Sequence, residues 1–104
     1  MYYFTYNGYE YRIRFQYHHL DEPAIHQRVV GKESKYRHSS VAIIEAKDDG
    51  KWNPTIVGES WCSIQDQFEK SVGRKYALRR LAEGLDKPFR AAIFQAVYHH
   101  QQSA

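Results

Sequence analysis

Lys70, Arg74, Lys75, Arg79 and Arg80 fall in one stretch that contains no acidic residue. Read as a helix, the stretch puts five positive charges on about three turns. Such a segment offers capture of an acidic group, carboxylate or phosphate, and not bond making. Helical spacing gives the charges different places. Phe68 and Val72 share one arc, and Ala77, Leu81 and Leu85 share another roughly 180° away. One straight helix cannot bury both against a single sheet, so a bend is expected at Gly73. Arg74 falls beside Ala77, Leu78 and Leu81 and is expected to turn inward with a partner. Lys75, Tyr76, Arg79 and Arg80 fall outward and form the first candidate binding surface. A merely solvated face would pair Asp66 with Lys70 and Arg79 with Glu83. Against that reading, Lys75 and Arg79 are a like-charge i,i+4 pair, at a cost of about 0.3 kcal/mol.

Further cations extend the search. Lys32, Lys35 and Arg37 lie in a segment with little apolar content and are added to the partner-binding set, and Arg12 and Arg14 are a second choice. Six histidines raise metal chemistry, but His18-His19 and His99-His100 are adjacent pairs whose rings diverge, and no His-x-x-x-His helix pair occurs. No metal site and no cofactor are expected. Cys62 precedes a candidate helix N-cap, where a thiol can be activated, although a strand-end cysteine is more often a small buried hydrophobe. No serine nucleophile motif, phosphate-cradling glycine loop or dinucleotide fingerprint is present. No catalytic residue is assigned, and the expectation is a non-enzymatic protein.

These side chains need elements to hold them. Asn7-Gly8 is a strong two-residue hairpin turn. It pairs Tyr6 with Tyr9, Phe4 with Tyr11 and Tyr2 with Ile13. The strict alternation from Tyr9 to Tyr17 puts the same residues on one apolar face. The other face carries Tyr3, Thr5, Glu10, Arg12, Arg14 and Gln16. Ser40 to Ala46 reads as a buried strand, Asp48-Asp49-Gly50-Lys51 as a turn, and Thr55 to Cys62 as the returning strand, with Pro54 barring an earlier start in a central position. Residues 18–39 read as a long loop. Ser63-Ile64-Gln65-Asp66 matches a capping box, Gly84 suits a C′ glycine, and Pro88 opens a second helix. In that helix Phe89, Ala92, Ile93, Ala96 and Val97 make a core-facing stripe. The expected fold is α+β: an antiparallel sheet of about four strands in two hairpins, then two C-terminal helices on one face.

The chain has 104 residues and a formal net charge of +3. One domain, 1–104, is expected, with a β-rich part at 1–62 and a two-helix part at 63–104. Residues 1–62 balance at zero, so the excess belongs to the helical part. A pI near 9.0 argues against an acidic mimic of nucleic acid. No apolar run approaches the ~20 residues of a membrane helix, no signal peptide is recognisable, and one cysteine cannot form an internal disulfide. A cytoplasmic protein with no membrane partner is expected.

The run Asp66-Gln67-Phe68-Glu69-Lys70-Ser71-Val72-Gly73-Arg74-Lys75-Tyr76-Ala77-Leu78-Arg79-Arg80 resembles a phrase of small phage and mobile-element accessory proteins. The likeness covers about residues 56–82 and rests on Asp-x-Phe-x-Lys, Gly-Arg-Lys and Ala-Leu-x-Arg. Proteins of that kind include inhibitors of bacterial defence, anti-CRISPR proteins among them. The resemblance implies a binding and blocking protein in the host bacterial cytoplasm. Both monomer and homodimer stay open, since the outer face of the first hairpin or an unpaired sheet edge offers a surface for a second copy. Its partner would be an acidic surface of a defence complex, or nucleic acid held inside one. The alternatives are a small nucleic-acid-binding module, then a small enzyme or nucleotide-sequestering protein.

Overall fold

Asn7 and Gly8 adopt φ values of 52° and 80°, the left-handed pair that a type I′ turn requires. Around them a hairpin closes with Tyr6 opposite Tyr9, Phe4 opposite Tyr11 and Tyr2 opposite Ile13. The computed structural model describes residues 1–29, 32–64 and 67–99. Its elements are β1 (Tyr2–Tyr6), β2 (Tyr9–Val29), β3 (Lys32–Asp48), β4 (Lys51–Ser63), α1 (Lys70–Ala82) and α2 (Lys87–Tyr98). The strands form one antiparallel sheet in the order β1-β2-β3-β4, and the two helices follow, as the α+β expectation required.

Alternation divides the sheet into two faces. On one, Tyr2, Ile13, Ile44 and Ile56 form a cross-strand row, and Phe15, Ala42 and Gly58 form the next. This is the face that the helices cover: α1 packs on β3 and β4, and α2 on β1. Ile13, Ala42 and Ile44 meet Ala77, Leu78 and Leu81 of α1 and Ile93 and Ala96 of α2 in the core. Phe89 at the start of α2 sits among the rings of Phe4, Tyr6 and Tyr11, with centroids 6.2, 4.7 and 5.3 Å away. These aromatic contacts fix the helix over the first hairpin by area and ring geometry together.

Four sequence expectations need correction. Residues 18–39 are not a loop: His18 to Val29 continue β2, and Lys32 to Ser39 begin β3. The ladder slips between His19/His38 and Ala24/Tyr36, so Leu20 to Pro23 stand opposite Arg37 alone. That bulge breaks the period-2 pattern by which a strand is recognised. β4 begins at Lys51, with Pro54 inside it, because β4 is an edge strand and the pairing shifts from Ile44/Ile56 to Glu45/Pro54.

Ser63 is the last residue of β4, opposite Tyr36, and α1 starts at Lys70 after Glu69 as N-cap. Of the expected capping box, Gln65 and Asp66 lie outside the described residues. Gly73 makes no bend: it lies in the first turn of α1, and its N–H donates to the Glu69 carbonyl at 3.0 Å. Because Phe68 precedes the helix, the conflict between two apolar arcs that called for a bend does not arise. At the other end Gly84 has φ 79°, as expected of a C′ position.

Candidate binding surface

Two glycines set where α1 lies. A Cβ on Gly58 of β4 would run into the backbone of Leu81 and Ala77, and one on Gly73 would run into the Ser40 side chain. The helix therefore rests directly on the sheet at both ends of its contact, main chain on main chain at Gly58. Ser60 Oγ adds a hydrogen bond to the Gly73 carbonyl at 3.0 Å. Ala77, Leu78, Leu81 and Ala82 are buried beneath the helix, which leaves Lys75, Tyr76, Arg79 and Arg80 on its exposed side. Arg74 does turn toward the core side, but its partner is aromatic: its guanidinium carbon lies 5.9 Å from the centre of the Phe15 ring.

Lys75 and Arg79 form one i,i+4 row of this surface, and Tyr76 and Arg80 the next. Arg79 does not reach Glu83 and sits instead 5.9 Å from the Tyr76 ring. Arg80 lies 5.3 Å from the Trp61 ring of β4, which in turn meets the edge of Tyr36 at 6.0 Å. Guanidinium groups resting on rings keep their charge and their outward N–H donors, while their stems lose freedom. Among the described residues, none of Lys75, Arg79 and Arg80 is within ion-pair distance of a carboxylate. Beside Tyr76 and Arg80 a cleft of about 510 Å³ opens between α1 and the end of β4, lined also by Ser60, Trp61, Cys62 and Phe68.

Arg12 and Arg14 lie on the opposite face of the sheet, so they cannot share one surface with α1. Both converge on Glu45 of β3, Arg12 Nε at 2.7 Å and Arg14 Nε at 3.2 Å from the same Oε1. Arg12 also lies 4.5 Å from the centre of the Trp52 ring, against which Tyr3 packs edge-on. Their charge is thus partly spent inside the molecule.

Lys32, Lys35 and Arg37 belong to β3 and not to a loop. Lys35 is exposed, whereas Arg37 is half-buried with its Nε shielded and without a hydrogen-bond partner. The side chain of Lys32 lies outside the described residues. The first-ranked part of the expected surface, on α1, is therefore brought together, and the remainder is spread over two other places. Trp61, which supports Arg80, and Glu45, which gathers two arginines, escaped the sequence reading.

One further group stands out on the helix-covered face. Tyr17, Ser40 and Ser60 form a cross-strand row, and His19, His38 and Cys62 form the next. His19 Nδ1 and His38 Nδ1 are 3.3 Å apart. His38 stacks on Phe68 with centroids 4.5 Å apart and planes 8° from parallel. Desolvation, then the neighbouring His19 and Arg37, hold the His38 pKa below the ordinary histidine value. No helix among the described residues is long and apolar enough to cross a membrane. No family model, no curated protein and no solved structure matches this chain.

Proposed function

We propose that this protein is a binding module that docks the exposed side of α1 against an acidic protein surface, and that it acts by occupying that surface. The observation that carries the reading is the patch of Lys75, Arg79 and Arg80. These three cations are held on a helix pinned to the sheet, two of them braced by aromatic rings, and none has a carboxylate partner among the described residues. Braced cations lose less freedom on docking than unsupported lysine or arginine side chains. A short positive patch around an exposed tyrosine matches a compact acidic site, and Tyr and Arg are the residue types that anchor protein interfaces. The phage-type resemblance of residues 56–82 makes a bacterial defence complex the partner to test first, with the protein as its blocker.

The experiment is capture from bacterial lysate with the wild-type protein and with a Lys75→Glu/Arg79→Glu/Arg80→Glu variant. The reading expects a discrete partner that the variant fails to retain. Equal recovery by both would overturn it. A gel shift on random DNA and RNA at low and physiological salt tests the competing assignment to nucleic acid. Binding that falls steeply with salt, with slope reduced in the variant, would move the assignment from protein to phosphate backbone.

A further inference from the structure

The cleft beside Tyr76 and Arg80 is built on one stripe of α1. Glu69, Val72, Gly73, Tyr76 and Arg80 line it at the i, i+3, i+4, i+7 and i+11 spacing of a single helical side. Val72 and Tyr76 are left 45% and 50% exposed, so large apolar surface opens to solvent along the cleft. At one end of the stripe stands Arg80, held over the Trp61 ring of β4. At the other stands Glu69, about 16 Å away at the helical rise per residue. An anionic group is therefore received at the Arg80 end alone. At the bottom lies Ser40, 1% exposed, whose hydroxyl is buried without a hydrogen-bond partner among the described residues. We propose that this cleft takes a tyrosine side chain from an acidic segment of the protein partner, with the flanking carboxylate on Arg80 and the phenol on the Ser40 hydroxyl.

This inference rests on the docking role proposed for α1 and names what the acidic partner inserts there. The volume of about 510 Å³ lies within the range of about 300–1,000 Å³ in which pockets hold a ligand. Its aromatic walls are set in advance: Phe68 stacks on His38 and meets Tyr17 edge-on at 6.4 Å, and Trp61 carries Arg80. A ring entering between fixed rings gains contact at little cost in ordering the host. A purely apolar side chain would fill the walls and leave the Ser40 hydroxyl unsatisfied, a cost that a phenol removes. The Ser60 hydroxyl is already committed to the Gly73 carbonyl, so the bottom of the cleft offers Ser40 as its spare hydroxyl. One cation balanced by one carboxylate is a poor match to a phosphate backbone and a good match to an acidic segment of defined polarity.

The test is titration of the ¹⁵N-labelled full chain with the peptide Asp-Asp-Tyr-Asp-Asp, blocked at both ends, read by the indole and backbone signals. The Trp61 indole is expected to shift, while that of Trp52 on the other face of the sheet stays in place. The same peptide with alanine at its centre is expected to bind at least about tenfold more weakly, through loss of the one buried anchor. Arg80→Gln is expected to weaken the tyrosine peptide by about fivefold, whereas Arg90→Gln, which removes an exposed cation of α2, leaves it unchanged. Ser40→Ala is expected to weaken the tyrosine peptide by about threefold and to leave a phenylalanine peptide unchanged, a difference that a structural role would not produce. Equal binding of the tyrosine and alanine peptides would overturn the cleft and leave the docking reading in place. The absence of any shift at Trp61 would overturn it too, and capture from lysate then decides the docking reading by itself.

Discussion

Arg12 Nε lies 2.7 Å from Oε1 of Glu45, and Glu45 is only 5% exposed although it sits on the face of the sheet that no helix covers. The carboxylate is shielded by its own partners. Arg14 approaches the same oxygen from the next outward-facing position of β2, and Trp52 lies against Arg12. A shielded charge with two cationic neighbours is expensive to break from one side, because the partners keep their desolvation cost and gain mutual repulsion. Glu45→Gln should therefore lower unfolding free energy by about 2–3 kcal/mol, somewhat below the range for fully buried pairs because both arginines remain partly solvated. The urea midpoint at unchanged m-value reads this out, and a loss within about 0.5 kcal/mol would show the cluster to be mere surface charge.

The two close approaches beneath α1 should respond differently. At Gly58 the obstacle to a new Cβ is backbone, which cannot rotate away. Gly58→Ala should cost about 1–3 kcal/mol or more through displacement of the helix. At Gly73 the obstacle is the Ser40 side chain, whose hydroxyl is buried without a hydrogen-bond partner. Ser40→Ala should be neutral or stabilising, since it removes an unsatisfied polar group. The double variant Gly73→Ala/Ser40→Ala should be more stable than the sum of the single changes implies. Strict additivity in that cycle would mean that the two residues do not press on each other.

Reversal of Lys75, Arg79 and Arg80 to glutamate should abolish partner capture while leaving the fold intact. Each side chain is exposed, and the buried side of α1 is untouched. Each single change is expected to shift stability by no more than about 0.5 kcal/mol. Circular dichroism and thermal melting of the same samples used for capture check this, and a collapsed melting transition would make loss of capture uninformative about the surface.

Tyr17 provides a pH test. Burial is the main cause that raises its pKa above 10.0, opposed by Arg74 and reinforced by Tyr2. A phenol whose folded pKa lies above its unfolded value favours the folded state while neutral. That contribution is complete below the unfolded value of about 10 and disappears as pH rises through the folded one. Between pH 9 and pH 11 the wild type should lose more stability than Tyr17→Phe, measured by urea unfolding. Parallel curves for the two proteins would remove Tyr17 from the alkaline transition.

Legibility in the sequence followed the range of the interactions. The first hairpin could be read to the residue, because Asn7-Gly8 and the alternation from Tyr9 to Tyr17 are local signals that demand the same register. The continuation of β2 could not, since Leu20 to Pro23 interrupt the alternation and the pairing that rescues the strand comes from β3. At Ser63 a local capping signal was overridden by the ladder to Tyr36, so the helix starts later than its first candidate cap.

The candidate surface shows the same division. Outward placement of Lys75, Tyr76, Arg79 and Arg80 follows from helical spacing alone. The brace under Arg80 is supplied by Trp61, and the sink for Arg12 and Arg14 by Glu45, through contacts distant in the chain. His19 and His38 illustrate this most directly. Alternation sends His18 and His19 to opposite faces of β2, and the ring that His19 meets is that of His38 on the next strand.

Gly58 gives the molecule a separation of duties along α1. Because the seat of the helix at Gly58 is peptide backbone on both sides, the height at which α1 crosses the sheet there is set by main chain and not by the outward side chains of Lys75, Tyr76 and Arg79. The residues at 75, 76 and 79 are thereby released from holding the fold, while Arg80 keeps its contact with the Trp61 ring of β4. A chain built this way can exchange the whole outer surface of the helix, charge and aromatic content included, while still presenting each new set of side chains at the same place. The patch is a replaceable face on a fixed mount.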